Sequence, residues 1–429
     1  MLSLIKNPEQ KIIKVAIISM SGMARGGVAS FLRQIATQLD SDLFDVHFFW
    51  CDPINIKIIG KPIKYISSAP EVISEMKRSG VTCHQYSVDT IDRSKKKAPW
   101  IGTNFFEVFN ENYFDLVLTG RGGNPEYPFC KIKKVPIIDT IHLRSGIDRQ
   151  SNIVSTLHLS KENQKLFFNR GGKRKKIPLI SPMIYSKIQT NDNLRFELGI
   201  NTKFVIGMHQ RNSDELFSYI PLQAFEILQR KYDVSFILLN GSSRYITQAR
   251  ALKLRNIHFL PETDSEVYKQ KFLNTLDVYT HGRADGEIHS AAIAEALRHG
   301  KPVITHCSPV ANGQEEQIEN CGYFVHTLAE YTSVLQSLLE DSNLLYEMAS
   351  NARIRFIEVY NEKDQLDIIT NVLLSTYKKT HLYFFRIATF LVNFLNNYFS
   401  LVLALPSILH RKLILRYLVK NSSKCWWQE

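Results

Sequence analysis

Apolar residues in this chain fall into short runs separated by turns and helix-like stretches, and the series occurs twice. The first opens at Lys14 with KVAIISMSGMARGGVASFLRQIATQL. Val15 to Ile18 has the uninterrupted apolar character of a buried strand, and Gly22, Gly26 and Gly27 form a turn. Val28, Phe31, Leu32, Ile35 and Leu39 then repeat at the 3.6-residue period of a helix. The runs FDVHFFW, FDLVLTG, VPIIDTIH and NIVSTLHLS continue the series. Near residue 170 the texture changes to NRGGKRKKIPLISPMIYSKIQTNDN, basic and proline-containing, which marks a crossing between domains. A second series follows. FVIGMH gives a strand, a polar turn comes next, and IPLQAFEIL gives a helix; VSFILLNGSS, NIHFLPE, LDVYTHG and KPVITHC supply further strands. Alternating strands and helices of this kind build parallel sheets covered by helices. The expectation is α/β: two Rossmann-like doubly wound domains facing a cleft, residues 1–180 and 181–375, followed by a tail over 376–429.

Composition narrows the partners. The chain is 22% charged and 44% hydrophobic, ordinary for a folded protein. Its net charge of +12 favours an anionic partner: nucleic acid, a membrane surface or an anionic substrate. Cys51, Cys83, Cys130, Cys307, Cys321 and Cys425 form no CxxC pair, which argues against a disulfide framework or a zinc site and for a reducing compartment. The opening MLSLIKNPEQKIIK is too charged for a secretory signal, so a cytosolic location is expected.

The most informative stretch is GEIHSAAIAEALRHGKPVI, residues 286–304. Glu287 and Glu295 frame a helix start stripped of bulk: Ser290, Ala291, Ala292, Ala294. Ser290 is a good N-cap, which leaves the N–H groups of Ala291 and Ala292 pointing outward with the positive end of the helix dipole. Small side chains let a phosphate approach that backbone. Glu295 lies about 8 Å further along the axis at 1.5 Å per residue. A ligand with an anionic middle and hydroxyl groups at both ends, such as a nucleotide sugar, meets both acids.

This block resembles the retaining glycosyltransferases of the GT-B type, glycosyltransferase family 4, with their EGFGxxxxEAxAxGKPVI pattern. Glu287, Glu295-Ala296-Leu297 and Gly300-Lys301-Pro302-Val303-Ile304 carry the likeness. Asn312-Gly313-Gln314-Glu315-Glu316 resembles the GGxxE that follows, IIDTIH ending in His142 resembles VxTxH, and GGVASFLRQIATQL resembles the N-terminal glycine loop and helix. The likeness spans roughly residues 12–370. The resemblance implies transfer of a sugar from a nucleoside diphosphate sugar, with retention, to a glycan or lipid-linked glycan. Glu287 would hold sugar hydroxyls and Glu295 the ribose. Ser290 and Ala291 at the helix start, with Arg211, would stabilise the diphosphate. Backbone from Leu260 to Glu262 would meet the base, Gly207 would belong to the donor site, and His142 would stand near sugar and acceptor. Gly26 and Gly27 either form a tight turn or admit the ligand to the backbone. No DxD loop is evident, so no metal and no further cofactor is expected.

Two departures mark this chain. Ile288 and Ser290 replace the glycines after the first glutamate. In the GRxxxxKG motif, Arg211 holds the arginine position but Leu216 stands in place of lysine, with Arg283 and Arg25 as substitute cations. A catalytically degenerate binding protein and a sugar-nucleotide epimerase are the alternatives, and little outside the tail suggests nucleic acid. The tail itself, HLYFFRIATFLVNFLNNYFSLVLALPSIL, is apolar and aromatic but broken by Asn393, Asn396 and Asn397. Arg386, Arg411, Lys412, Arg416, Lys420 and Lys424 in and after it face one acid, Glu429. That pattern fits a peripheral element on an anionic membrane surface.

Overall fold

The computed structural model describes residues 11–19, 23, 27–52, 55–60, 70–95, 99–120, 128–142, 150–172, 179–181, 188–263 and 265–380. Gly26, Arg25 and residues 381–429 of the expected tail lie outside the described residues. Among the described residues no helix is long and apolar enough to cross a membrane.

Two six-stranded parallel sheets form the frame. The first runs, edge to edge, Thr82–Gln85, Phe44–Trp50, Ile13–Ile18, Leu116–Thr119, Ile137–Ile141, Ile153–His158. The second runs Ile257–Leu260, Val234–Leu239, Phe204–His209, Val278–Thr280, Val303–His306, Gly322–Val325. In chain order each is 3-2-1-4-5-6, the doubly wound arrangement whose strand order reverses between the first and fourth strands. Both expected Rossmann-like domains are present.

Burial follows the two-residue period of a strand. In the first strand Val15 and Ile17 enter one core with Phe31, Leu32 and Ile35 of the helix Gly27–Gln38. Ala16 and Ile18 enter the opposite core with Tyr86, Trp100, Phe105, Phe109 and Phe129. Both faces are covered, which is why the run shows no polar alternation. A further small sheet, Lys57–Ile59, Val88–Asp92 and Trp100–Thr103, was not anticipated from the pattern. Its strands are short and carry polar positions, so no apolar run announces them.

The domain boundaries differ from a simple cut. Ile180 is still packed in the first core, and Leu194 is the first residue in the second. The helix over 362–380 then crosses back: Ile369 and Leu373 are fully buried in the first core. The stretch 181–375 therefore does not close on itself. One polar contact secures this returning helix, and another joins the domains. Gln365 Oε1 accepts from Ser181 N–H at 2.7 Å, and the Glu316 carboxylate accepts from Lys161 N–H at 2.8 and 3.1 Å. Lys161 begins the helix Lys161–Asn169, so Glu316 caps a first-domain helix from the second domain.

Candidate active site

The carboxyl ends of the second sheet carry the site. The helix Ala291–Arg298 starts at Ser290, whose Oγ accepts from Ile293 N–H at 3.4 Å. Ser290 is held in turn by Gln317, which accepts from its N–H at 2.6 Å and donates to its carbonyl at 3.0 Å. The N–H groups of Ala291 and Ala292 have no partner among the described residues. Ala291 is exposed, as an anion site at a helix N-terminus requires.

Glu287 sits on the two-residue strand Gly286–Glu287, paired in parallel with Ala311–Asn312. Gly286 has φ +63°, and a Cβ there would lie 1.8 Å from the Ala311 carbonyl oxygen. A Cβ on Gly313 would be equally close to the Ile288 carbonyl. These two glycines bring the Glu287 loop and the Gly313–Ile318 helix into backbone contact. Gly286→Ala is expected to destabilise the protein by at least about 1–2 kcal/mol from the left-handed backbone alone. Thermal unfolding of the variant checks it; an unchanged midpoint would show that the loop has another conformation.

Glu287 is anchored on both oxygens. Arg283 Nη1 donates to Oε1 at 2.6 Å, and the His281 Nε2 to Oε2 distance is 3.0 Å. Burial raises its carboxyl, but the His281 hydrogen bond and the Arg283 charge outweigh it and hold the group at about 2. Glu295 is anchored likewise: Lys269 Nζ donates to Oε1 at 2.6 Å, and His209 Nε2 lies 2.8 Å from Oε2. Burial again raises it, and Lys269 with His209 hold it far below the usual carboxylate range. His209 ends the first strand and His281 follows the fourth. Both carboxylates are thus fixed, charged, at the point where the sheet order reverses. That is where open α/β sheets bind ligands.

The remaining positions divide. Arg211 is exposed on the loop after the first strand, with no ion pair among the described residues. Leu216 is buried, and its carbonyl accepts from Ala284 N–H at 3.2 Å, so this loop meets the loop after the fourth strand. Arg283, the other described candidate for that cation, is engaged by Asp285 and Glu287 at 2.7 and 2.6 Å. Arg244, which sequence reasoning passed over, reaches the same loop instead. Its guanidinium stands 5.0 Å from the Phe217 ring and donates to Tyr219 Oη at 3.2 Å, with no carboxylate partner among the described residues.

Gly207 is buried. It lies inside its strand, where a Cβ would come within 2.2 Å of the Ile237 carbonyl oxygen, so sheet packing accounts for it. The Leu260 carbonyl is taken by Asn240 N–H at 3.0 Å, while Glu262 is exposed just beyond. Gly27 opens its helix with nothing within 4 Å of an added Cβ, so crowding does not demand glycine there. His142 follows the fifth strand of the first sheet, packed edge-on against Phe31 at 4.9 Å.

His209, His281 and Lys269 complete the site and were missed. His209 closes the apolar run FVIGMH, a position from which it could have been found. Lys269 arrives from the helix Glu266–Thr275, and nothing in its local sequence announces its pairing with Glu295.

No protein-family profile matches the chain, and no curated protein matches its sequence. Solved structures do share its fold. HepE from Anabaena, crystallised with UDP and glucose, superposes with a TM-score of 0.62 at 17% identity, covering 85% of this chain and 100% of that one. Sucrose-phosphate synthase from Thermosynechococcus elongatus gives 0.63 at 15% identity, covering 86% and 100%. WaaG, a glycosyltransferase involved in lipopolysaccharide biosynthesis, gives 0.59 at 14% identity, covering 83% and 99%. The chain therefore shares the fold of these structures, two Rossmann-like domains in the GT-B arrangement.

Proposed function

We propose that this protein transfers a sugar from a nucleoside diphosphate sugar to an acceptor hydroxyl with retention of configuration. One observation carries the reading: Glu287 and Glu295, both held ionised, flank the open helix start at Ser290 where the strand order reverses. In this reading Glu287 accepts hydrogen bonds from sugar hydroxyls and Glu295 from the ribose. The diphosphate lies on the Ala291 and Ala292 N–H groups. Arg211 and Arg244 offset the charge that grows on it as the anomeric carbon–oxygen bond breaks. The acceptor oxygen bonds to the anomeric carbon from the same side, and its proton passes to the departing phosphate oxygen. The acceptor we favour is a glycan or lipid-linked glycan, presented by a chain that lies at the cytosolic face of a membrane through residues 381–429.

The test is calorimetric titration with UDP-glucose, UDP-galactose, UDP-N-acetylglucosamine and GDP-mannose, followed by product analysis with glycan acceptors. Binding of one donor at micromolar affinity and formation of a retained glycoside are expected. Binding without turnover would make the protein a degenerate member of its class, and interconversion of the sugar would make it an epimerase. No binding would overturn the reading. Arg211→Ala and Arg244→Ala are each expected to weaken UDP binding by roughly 10-fold or more while leaving uridine binding unchanged. Equal losses for both ligands would place the diphosphate elsewhere.

A further inference from the structure

His281 engages a different partner with each ring nitrogen. Nε2 lies 3.0 Å from Glu287 Oε2, and Nδ1 lies 2.8 Å from Thr305 Oγ1. Glu287 is held ionised and only accepts, so Nε2 carries a proton. The Thr305 hydroxyl decides the state of the other nitrogen. Thr305 is fully buried, and its side chain has no second partner among the described residues. Were Nδ1 to donate to it, the hydroxyl proton would be left buried without an acceptor, an arrangement that native interiors avoid. The hydroxyl therefore donates to Nδ1, and the ring is the neutral Nε2–H tautomer.

The groups around His281 come from four elements. Glu287 and Arg283 face it from the loop before the helix Ala291–Arg298, and Asp285 shares the Arg283 guanidinium. Tyr279, on the preceding strand, has its ring centroid 6.5 Å away. Tyr331, on the helix Leu328–Glu340, donates to the His281 carbonyl at 3.0 Å. His306 follows Thr305; its Nδ1 lies 2.9 Å from the Cys307 carbonyl and its Nε2 2.8 Å from Ser218 Oγ, and burial favours its neutral form. Among these groups Arg283 is the fixed cation. A similar contact one strand away has no such consequence. His209 Nδ1 lies 3.2 Å from Tyr279 Oη, but that hydroxyl has the His209 carbonyl at 3.0 Å to donate to. Tyr279 is thus free to accept from a protonated Nδ1, whereas Thr305 is not.

We propose that Thr305 is a positioning residue for the sugar end of the donor site: its hydroxyl holds His281 as the neutral Nε2–H tautomer and so leaves Glu287 an anion with a single cationic partner, Arg283. The proposal rests on the nucleotide-sugar reading of the site. A carboxylate binds sugar hydroxyls as a charged acceptor, and charge on the acceptor makes those hydrogen bonds stronger. A proton on His281 Nδ1 would set a second cation against Glu287 and weaken it as an acceptor. It would also add positive charge beside a diphosphate site, which favours the free nucleotide. Thr305 therefore acts on the preference for nucleotide sugar over nucleotide, without touching either.

Thr305→Val removes the hydroxyl and keeps the shape; Thr305→Ser keeps the hydroxyl. Both full-length variants are to be titrated with the tightest-binding donor of the panel above and with its free nucleoside diphosphate, between about pH 8 and 6. Each affinity is taken relative to wild type at the same pH, so that ionisation of the ligand cancels. Thr305→Val is expected to lose donor affinity progressively as pH falls, to roughly 3- to 10-fold at the acid end, because Nδ1 without its donor takes up a proton. Free nucleotide is expected to bind no more weakly than in wild type, and Thr305→Ser to match wild type throughout. No loss, a loss of one size at every pH, or a loss that serine does not restore would overturn the proposal, the last two marking Thr305 as a packing residue. NMR of the imidazole nitrogens in the wild type, with His281 assigned by its absence from His281→Gln, reads the tautomer even where Thr305→Val does not fold. A protonated Nε2 and a bare Nδ1 are expected; an imidazolium or an Nδ1–H ring would overturn the proposal. If the wild type binds no nucleotide sugar, the functional reading fails and the role of Thr305 with it. Normal donor binding that ignores Thr305 overturns this proposal alone.

Discussion

Glu295→Ala is expected to cost roughly 10- to 150-fold in affinity for donor and free nucleoside diphosphate alike. That range corresponds to about 1.5–3 kcal/mol for a charge-assisted hydrogen bond. Glu295 takes Lys269 on one oxygen and His209 on the other. Two donors set the carboxylate rigidly and leave its remaining lone pairs for a ribose. Removing it also strands its neighbours. Lys269 keeps its 2.8 Å contact with Glu266, but His209 Nε2 loses its anionic partner. A stability loss of about 1–3 kcal/mol accompanies the change, the cost of an unsatisfied, partly buried polar group. Titration of the folded variant with UDP and UDP-glucose, beside its thermal unfolding, measures both effects. Unchanged affinity for free nucleotide in a folded variant would remove Glu295 from the ribose.

Glu287→Gln is expected to lower donor affinity and turnover by a similar factor while sparing free nucleotide. The amide must turn its NH2 toward either Arg283 or His281, both of which donate to the native carboxylate. The change also has a pH signature. Glu287 titrates at about 2 in the folded protein against an ordinary value of 4.5. The unfolded chain therefore binds its proton first as pH falls, and the stabilising contribution of the carboxylate is complete above pH 4.5. It drains away between about pH 4.5 and 2. The difference in unfolding free energy between wild type and Glu287→Gln is therefore expected to narrow across that window. A constant difference would mean that Glu287 is not held ionised by His281 and Arg283.

Comparison of the two glutamates with the other expected positions shows where a sequence is legible. Glu287, Ser290, Ala291 and Glu295 are close in the chain, and one helix with one loop places them, so local pattern was enough to group them. Gly207 is less legible, because a glycine in a strand looks the same whether it admits a ligand or a neighbouring carbonyl. The Ile237 oxygen that decides the matter lies on another strand. The missing lysine was visible at Leu216. Its proposed replacement was not, because Arg244 reaches that loop from the helix after the second strand and Arg283 is already engaged.

The sequence by itself determined the two α/β halves, their uninterrupted apolar strands and the small-residue helix start between two acids. Each of these is written in short-range periodicity, which local sterics and burial enforce without reference to distant residues. Only the tertiary structure decided what charges and tautomers the site holds. Lys269 on Glu295, Arg283 and His281 on Glu287, and Thr305 on His281 are pairings set by how strands and helices pack. It also decided that residues 362–380 return to the first core, because an amphipathic helix specifies the face it buries but not the surface that buries it.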